Sequence, residues 1–335
     1  MSTISDLLAS GEPEDPLLDD PDGPRTISAE PSRVDRVFRG TSALAAFIVL
    51  GLMSFIGLFL LWKALPALRR TGFGFLTEQR WLPDTGHFGI RAVLVGTIEI
   101  GLVALVIALP ASFAAALYIS EYAPRRLRGT LISVVDLMAA VPSIVYGLWG
   151  LIFLQPHIIS LSRWLSDHLG WIPIFKTDRP DFTSSTFIAG VVVSLMVMPI
   201  SCSIMREVFS QAPPGEREGA YALGSTQWGM IRTVVLPWGK GGIVGATMLG
   251  LGRALGETIA VYLIISPSFI TSIHILQGGS NSISALIALR YSESSTFGLS
   301  GLMAAGLVLF ILTLIINSLA SIVVSRSRSG SAVEI

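Results

Sequence analysis

Residues 92–118 read Ala92-Val-Leu-Val-Gly-Thr-Ile-Glu-Ile-Gly-Leu-Val-Ala-Leu-Val-Ile-Ala-Leu-Pro-Ala-Ser-Phe-Ala-Ala-Ala-Leu-Tyr118, with one charged side chain, Glu99, in the whole run. A helix rises about 1.5 Å per residue, so a run of this length outreaches the roughly 30 Å hydrocarbon core of a bilayer. The stretch therefore predicts a membrane-spanning helix. Working outward, five more apolar runs lie near Ser42–Trp62, Thr130–Leu154, Phe187–Met205, Gly241–Ile265 and Leu299–Val324, separated by charged or Pro/Gly-rich breaks. The fold class this predicts is all-α, a polytopic membrane protein with six transmembrane helices. Pro110, Pro142 and Pro199 fall inside three of the runs and read as kinks, because neighbouring helices can re-satisfy the carbonyls a proline frees.

The composition agrees, with 51% of the 335 residues hydrophobic and 14% charged against about 25% charged in soluble domains. Formal net charge is zero, which leaves no basic field for a nucleic-acid partner. The single cysteine, Cys202, excludes an intrachain disulfide and a cysteine zinc site. Residues 1–40 interleave Glu12, Glu14, Asp15, Asp19, Asp20 and Asp22 with Pro13, Pro16, Pro21 and Pro24, the composition of a disordered acidic tail. The first apolar run is too long and too late for a signal-peptide core and reads as a retained membrane helix. Residues 41–91 then hold the first helix and an outer loop, 92–325 the main membrane domain with an inner loop at 207–240, and 326–335 a short tail.

Basic residues collect on the cytoplasmic side of short loops. Arg33, Arg36 and Arg39, then Arg125, Arg126 and Arg128, then Arg206, Arg217, Arg232 and Lys240, and finally Arg326 and Arg328 mark alternate loops, so both termini are expected to be cytoplasmic. His87, His157, His168 and His274 fall in the opposite, outer loops and read as solvated. Phe73, Phe75, Trp81 and Phe88 in the first outer loop, and Trp164, Trp171 and Phe175 in the second, are expected to anchor at the level of the lipid headgroups. Glu99 and Asp136 read as polar packing partners near helix ends.

The inner loop carries the densest signal. It reads Gln211-Ala-Pro-Pro-Gly-Glu-Arg-Glu-Gly-Ala-Tyr-Ala-Leu-Gly224, then Ser225 to Val235, then Leu236-Pro237. Pro213 or Pro214 can open a short helix, Glu216 and Glu218 suit its positive end, and Gly224 can take the left-handed conformation that closes it. A second short helix is expected to run up to Pro237. This pattern resembles the EAA loop of ABC importer permeases: Glu218-Gly219-Ala220, Gly224 and Val234-Val235-Leu236-Pro237 match in type and spacing, with Gly219 the one departure. The resemblance implies a MetI-like fold and a coupling helix that inserts into a cleft of a separate ATPase subunit, with Glu218, Gly219, Ala220, Gly224, Leu236 and Pro237 at that contact.

The fifth run contains Gly250-Leu-Gly-Arg253-Ala-Leu-Gly-Glu257-Thr258. Arg253 lies about 20 Å along a helix from Lys240 at 1.5 Å per residue, near the bilayer midplane, and the i, i+4 spacing places Glu257 on the same face, able to pair with it. Gly241/Gly245 and Gly252/Gly256 are two GxxxG patterns, which favour close helix contact. Charges at this depth face a protein interior or an aqueous path, so Arg253 is either half of a structural ion pair or the group that meets an anion in transit. Arg253-Ala-Leu-Gly-Glu-Thr258 resembles the phosphate-specific Pst permeases. So do Glu121-Tyr-Ala-Pro-Arg-Arg-Leu-Arg-Gly129 and Ala139-Ala-Val-Pro-Ser-Ile-Val-Tyr-Gly-Leu-Trp-Gly150, with PstC-type subunits the better match over roughly Phe73 to Val324. It implies phosphate as cargo and a pathway of Arg253, Glu257 and Thr258. It also implies partners: a PstA-type permease, two PstB-type ATPases and a PstS-type phosphate-binding protein, beside membrane lipid. A permease for sulfate, molybdate or phosphonate remains open, as does a secondary transporter or channel. The chain has no phosphate-binding loop of the Gly-x-x-x-x-Gly-Lys-Ser/Thr type, so ATP and magnesium are expected on the partner ATPase, with no cofactor and no catalytic residue here.

Overall fold

The computed structural model describes residues 33–83 and 87–327. Within it six helical segments are long and apolar enough to cross a membrane. The first, α1 (Arg33–Thr71), starts earlier and ends later than expected. Of the stretch read as a disordered tail, residues 33–40 are the first turns of this helix; residues 1–32, and the tail from 328 onward, lie outside the described residues. Residues 33–54 belong to a separate compact unit whose described side chains are all exposed.

From Phe55 onward the chain forms one unit. The short α2 (Gly74–Thr77) leads to strands β1 (Trp81–Leu82) and β2 (His87–Phe88), an antiparallel pair with Trp81 opposite Phe88. Two of its expected headgroup anchors are packed inside the protein rather than exposed to lipid. Phe88 stacks edge-on against Phe75, Trp81 and Phe297 at 5.9, 5.9 and 5.4 Å, and Phe75 and Phe88 are buried. Edge-to-face pairs of this kind contribute about 0.5–1.5 kcal/mol beyond the area they bury. Phe73, Trp164 and Trp171 are the exposed ones, while Phe175 packs into a small cluster with Phe182 and Leu276.

Helix α3 (Arg91–Leu117) continues into a π turn at Tyr118–Tyr122. Next, α4 (Arg125–Ala140) and α5 (Ser143–Trp149) replace the single helix expected over Thr130–Leu154. The break is at Val141-Pro142, both extended. Proline has no N–H to continue the ladder and its ring drives the preceding residue out of the helical region. Pro142 thus starts a helix rather than kinking one. A π turn (Gly150–Leu154) and α6 (Gln155–Leu169) complete the third span, Ser143–Leu169. His157 and His168 consequently sit on a helix, not in a loop.

Pro110 lies inside α3 and Pro199 inside α7 (Thr186–Ser210), as anticipated. Ile100, Ala104 and Ala108 of α3 pack on Ile188, Val192, Val193 and Met196 of α7 to form the main core. The loop that follows holds α8 (Pro214–Ala222) and α9 (Gln227–Met230), then a π turn (Ile231–Val235) leading into α10 (Leu236–Gly256), α11 (Ile259–Ile264), α12 (Ile283–Arg290) and α13 (Thr296–Ser327). α10 approaches α7 so closely at Gly250 that a Cβ there would lie 2.7 Å from Val197 Cγ1 and 2.9 Å from Ser201 Oγ. Of the expected GxxxG glycines, a Cβ on Gly252 would lie 3.4 Å from Asn317 Oδ1, one on Gly245 3.9 Å from Val324 Cγ2, and one on Gly256 would meet nothing within 4 Å.

Candidate functional site

The loop between α7 and α10 folds by the chemistry its sequence offers. Pro213 precedes α8 and Pro214 occupies its first turn, where a missing N–H costs nothing. At the other end Gly224 has φ +81, its N–H donates to Tyr221 O at 2.9 Å and that of Ser225 to Ala220 O at 3.1 Å. Those two bonds close the last turn and satisfy carbonyls the helix leaves open. Thr226 then caps α9, its hydroxyl accepting the N–H of Gly229 at 3.2 Å. The second helix does not stop at Pro237. The π turn carries the chain into α10 with the backbone helical throughout, so Pro237 lies inside a continuous helix and has no N–H to extend its ladder there.

The surface this builds is apolar and uncovered. Tyr221, Leu223 and Trp228 are exposed, Leu223 at 90%, beside exposed Glu218, Gly219 and Gly224. The sequence pattern singles out Glu218, Gly219 and Gly224 but not Tyr221, Leu223 and Trp228. A Cβ on Gly219 would meet nothing within 4 Å, so its departure from alanine leaves the surface open rather than marking a tight contact. Leu236 is half-buried and Pro237 exposed, one turn beyond the pair of short helices.

Beneath that surface lies an ion pair which the sequence gives no means of matching. Arg217 Nη1 donates to Glu121 Oε2 at 3.0 Å, with the Glu121 side chain 4% exposed. The same guanidinium donates to the carbonyls of Ala212 and Phe209. Glu121 Oε1 accepts from Ser120 Oγ at 2.7 Å, and its backbone oxygen accepts Gln227 Nε2 at 2.7 Å. Around it Ala116, Leu117, Ile119, Phe209, Met230 and Ile231 form a continuous apolar cluster.

In the fifth span the helix ends at Gly256. Glu257 is extended with ψ 126 and α11 begins only at Ile259. The expected pairing of Glu257 with Arg253 is therefore absent, because an i, i+4 contact needs an unbroken helix between the two. Glu257 Oε1 instead accepts the N–H of Ala260 at 3.3 Å, at the start of α11, and its backbone oxygen accepts Ser284 Oγ at 2.7 Å. Thr258 Oγ1 donates to Gly256 O at 3.2 Å. Arg253 is exposed, one helical turn from exposed Leu249 and Gly256 of the same helix, and among the described residues no carboxylate pairs with it.

Both acidic residues read as packing partners have polar neighbours. Asp136 accepts from Ser203 Oγ at 3.1 Å, and Glu99 lines a small polar cavity with Thr186, His274, Gln277 and Ser280.

Residues 108–329 match the family described as binding-protein-dependent transport system inner membrane component, a match that spans the apolar core, the short-helix pair and the broken fifth span. The chain belongs to that family. As an inner-membrane component it is a multi-pass protein of the cytoplasmic membrane. Its relatives include a protein named phosphate transport system permease protein PstC 2 from Mycobacterium tuberculosis, 38% identical over 307 residues and covering 89% of this chain and 94% of that one. A PstC of Xylella fastidiosa is 39% identical over 288 residues, 85% and 88% of the two chains. Among solved structures, a chain of a bacterial ABC transporter involved in alginate import aligns with TM-score 0.54 over 88% of this chain and 99% of that one, at 20% identity. At that identity the likeness establishes the fold of this inner-membrane component and nothing about its cargo.

Proposed function

We propose that the chain is the permease subunit of an ABC importer for inorganic phosphate, forming half of the path across the membrane while a separate subunit hydrolyses ATP. The observation that carries the reading is Arg253, a permanent cation in the last turn of α10, exposed and with no ion-pair partner among the described residues. A charge held within the membrane domain must face protein or water, so a second permease subunit and an aqueous path are what would enclose it. Its planar fork suits a phosphate oxygen pair, and the relatives named for phosphate transport support that cargo over other oxyanions.

Exposed Tyr221, Leu223 and Trp228 beside Glu218 and Gly224 form the surface for the ATPase, since an exposed apolar patch on the two short helices that join the fourth and fifth spans calls for a protein partner. The complete assembly in this reading holds a PstA-type permease, two PstB-type ATPases and a PstS-type phosphate-binding protein. ATP and magnesium reside on the ATPases, both termini of this chain are cytoplasmic, and Arg253, Glu257 and Thr258 border the path. Uptake of radiolabelled phosphate is measured in a strain lacking its own importer, with and without this chain and its partners. Phosphate uptake that survives excess sulfate, molybdate and phosphonate is the expected result; restoration of sulfate or molybdate uptake instead would reassign the cargo.

A further inference from the structure

We infer that Glu121 and Arg217 are positioning residues, forming a joint through which movement of the coupling helices is passed to the second span. This rests on the reading of α8 and α9 as the ATPase contact. Both helices hold the same residue: Arg217 of α8 grips the Glu121 carboxylate at 3.0 Å, and Gln227 of α9 grips its backbone oxygen at 2.7 Å. Glu121 lies in the π turn Tyr118–Tyr122, continuous with α3. Chain direction changes at once after it, with Ala123 and Pro124 extended, so a pull on Glu121 acts along α3 and not along a slack loop.

Two features distinguish this arrangement from an ordinary surface ion pair. The Glu121 side chain is 4% exposed and that of Arg217 22%, so the pair is dry enough for each charge to depend on the other. The guanidinium also donates, through Nη2 and Nε, to the carbonyls of Phe209 at the end of α7 and Ala212 just beyond it. Arg217 thereby locks α8 to the fourth span as well as to the second. A rigid-body shift of α8 and α9 cannot leave either span behind without stranding a buried charge, whereas an apolar contact alone could slide.

The test uses the full complex in proteoliposomes, with Glu121→Gln, Arg217→Gln and the double variant, reading ATPase retention, ATP hydrolysis and phosphate moved per ATP. Each single variant is expected to keep the ATPase bound and hydrolysing while phosphate moved per ATP falls by about tenfold, the size of a typical coupling interaction. Because the two side chains act as one joint, the double variant is expected to lose no more than the worse single. Multiplied losses in the double variant, or an unchanged transport ratio in both singles, would overturn the joint. So would loss of the ATPase from both singles, since the pair would then hold the loop folded and transmit nothing. Wild-type complex that hydrolyses ATP but moves no phosphate overturns the cargo reading instead. In that case the joint is judged by hydrogen exchange at the amides of 117–123: nucleotide-dependent protection in wild type that disappears in Glu121→Gln supports it, and the same dependence in both overturns it.

Discussion

Glu257 turns its carboxylate onto the start of the next helix, where Oε1 accepts the backbone N–H of Ala260 at 3.3 Å. Arg253, four residues earlier, is thereby left with no partner in its own helix, and the two residues have separate tasks. Arg253→Gln is expected to leave assembly intact and to slow phosphate uptake by about 10- to 100-fold, the equivalent of one charge-assisted contact of about 1.5–3 kcal/mol. Glu257→Gln keeps an oxygen that can accept the Ala260 N–H and should assemble normally. The double variant should transport no better than Arg253→Gln. Recovery of uptake in the double variant, measured with radiolabelled phosphate, would mean that the two charges serve only to balance each other.

Gly224 has φ +81 and open space around its missing Cβ, so the constraint there is conformational rather than steric. Gly224→Val forces a β-branched residue into the left-handed region at a cost of about 1–2 kcal/mol, enough to shift the closing turn of α8. Membrane insertion should be unaffected while ATPase co-purification weakens. Asparagine visits this conformation more readily, and Gly224→Asn should retain most of the binding. Equal retention of the ATPase by the Val and Asn variants would remove the turn from the coupling surface.

Gly219 offers the opposite case. It lies exposed inside α8, with nothing within 4 Å of where a Cβ would stand, and glycine inside a helix costs about 1 kcal/mol relative to alanine. Gly219→Ala is expected to hold α8 more firmly and to leave transport at the wild-type rate. A substantial loss of ATPase binding would show that the partner packs directly against the bare backbone at this position.

How much of this was legible in the sequence depended on whether the deciding chemistry was local. The short-helix pair could be read because Pro213, Pro214 and Gly224 act on the backbone within a few residues, and the spans because a bilayer demands long apolar helices with internally bonded backbones. The break at Glu257 could not. Gly256, Glu257 and Thr258 are all compatible with a continuing helix, and what fixes them elsewhere is Ser284, 27 residues away. Pro142 was ambiguous for a related reason, since a proline in a span kinks or ends a helix according to neighbours that the sequence does not place. Glu121 and Arg217 are 96 residues apart, and only the packing of the second and fourth spans brings them together.

The hydroxyl of Thr97 shows how a distant segment is fastened to a span, and it provides the most direct test of the packing. Thr97 Oγ1 donates to Val93 O at 2.6 Å and accepts the N–H of Ile283 at 2.9 Å, all within the buried region. Ile283 is the first residue of α12, whose next residue, Ser284, holds the Glu257 carbonyl. Valine matches threonine in shape but has no acceptor, so Thr97→Val leaves the Ile283 N–H buried and unbonded, a loss of about 1–3 kcal/mol. Thr97→Ser keeps the acceptor and gives up only a methyl group. The expected order of thermal stability in detergent is wild type, then Ser, then Val. In the Val variant, hydrogen exchange at Ile283 and the amides beside it should rise by about 5- to 100-fold, matching that loss. If Val and Ser prove equally stable, the bond does not fasten α12, and the position of Glu257 must then depend on the packing of α11 alone.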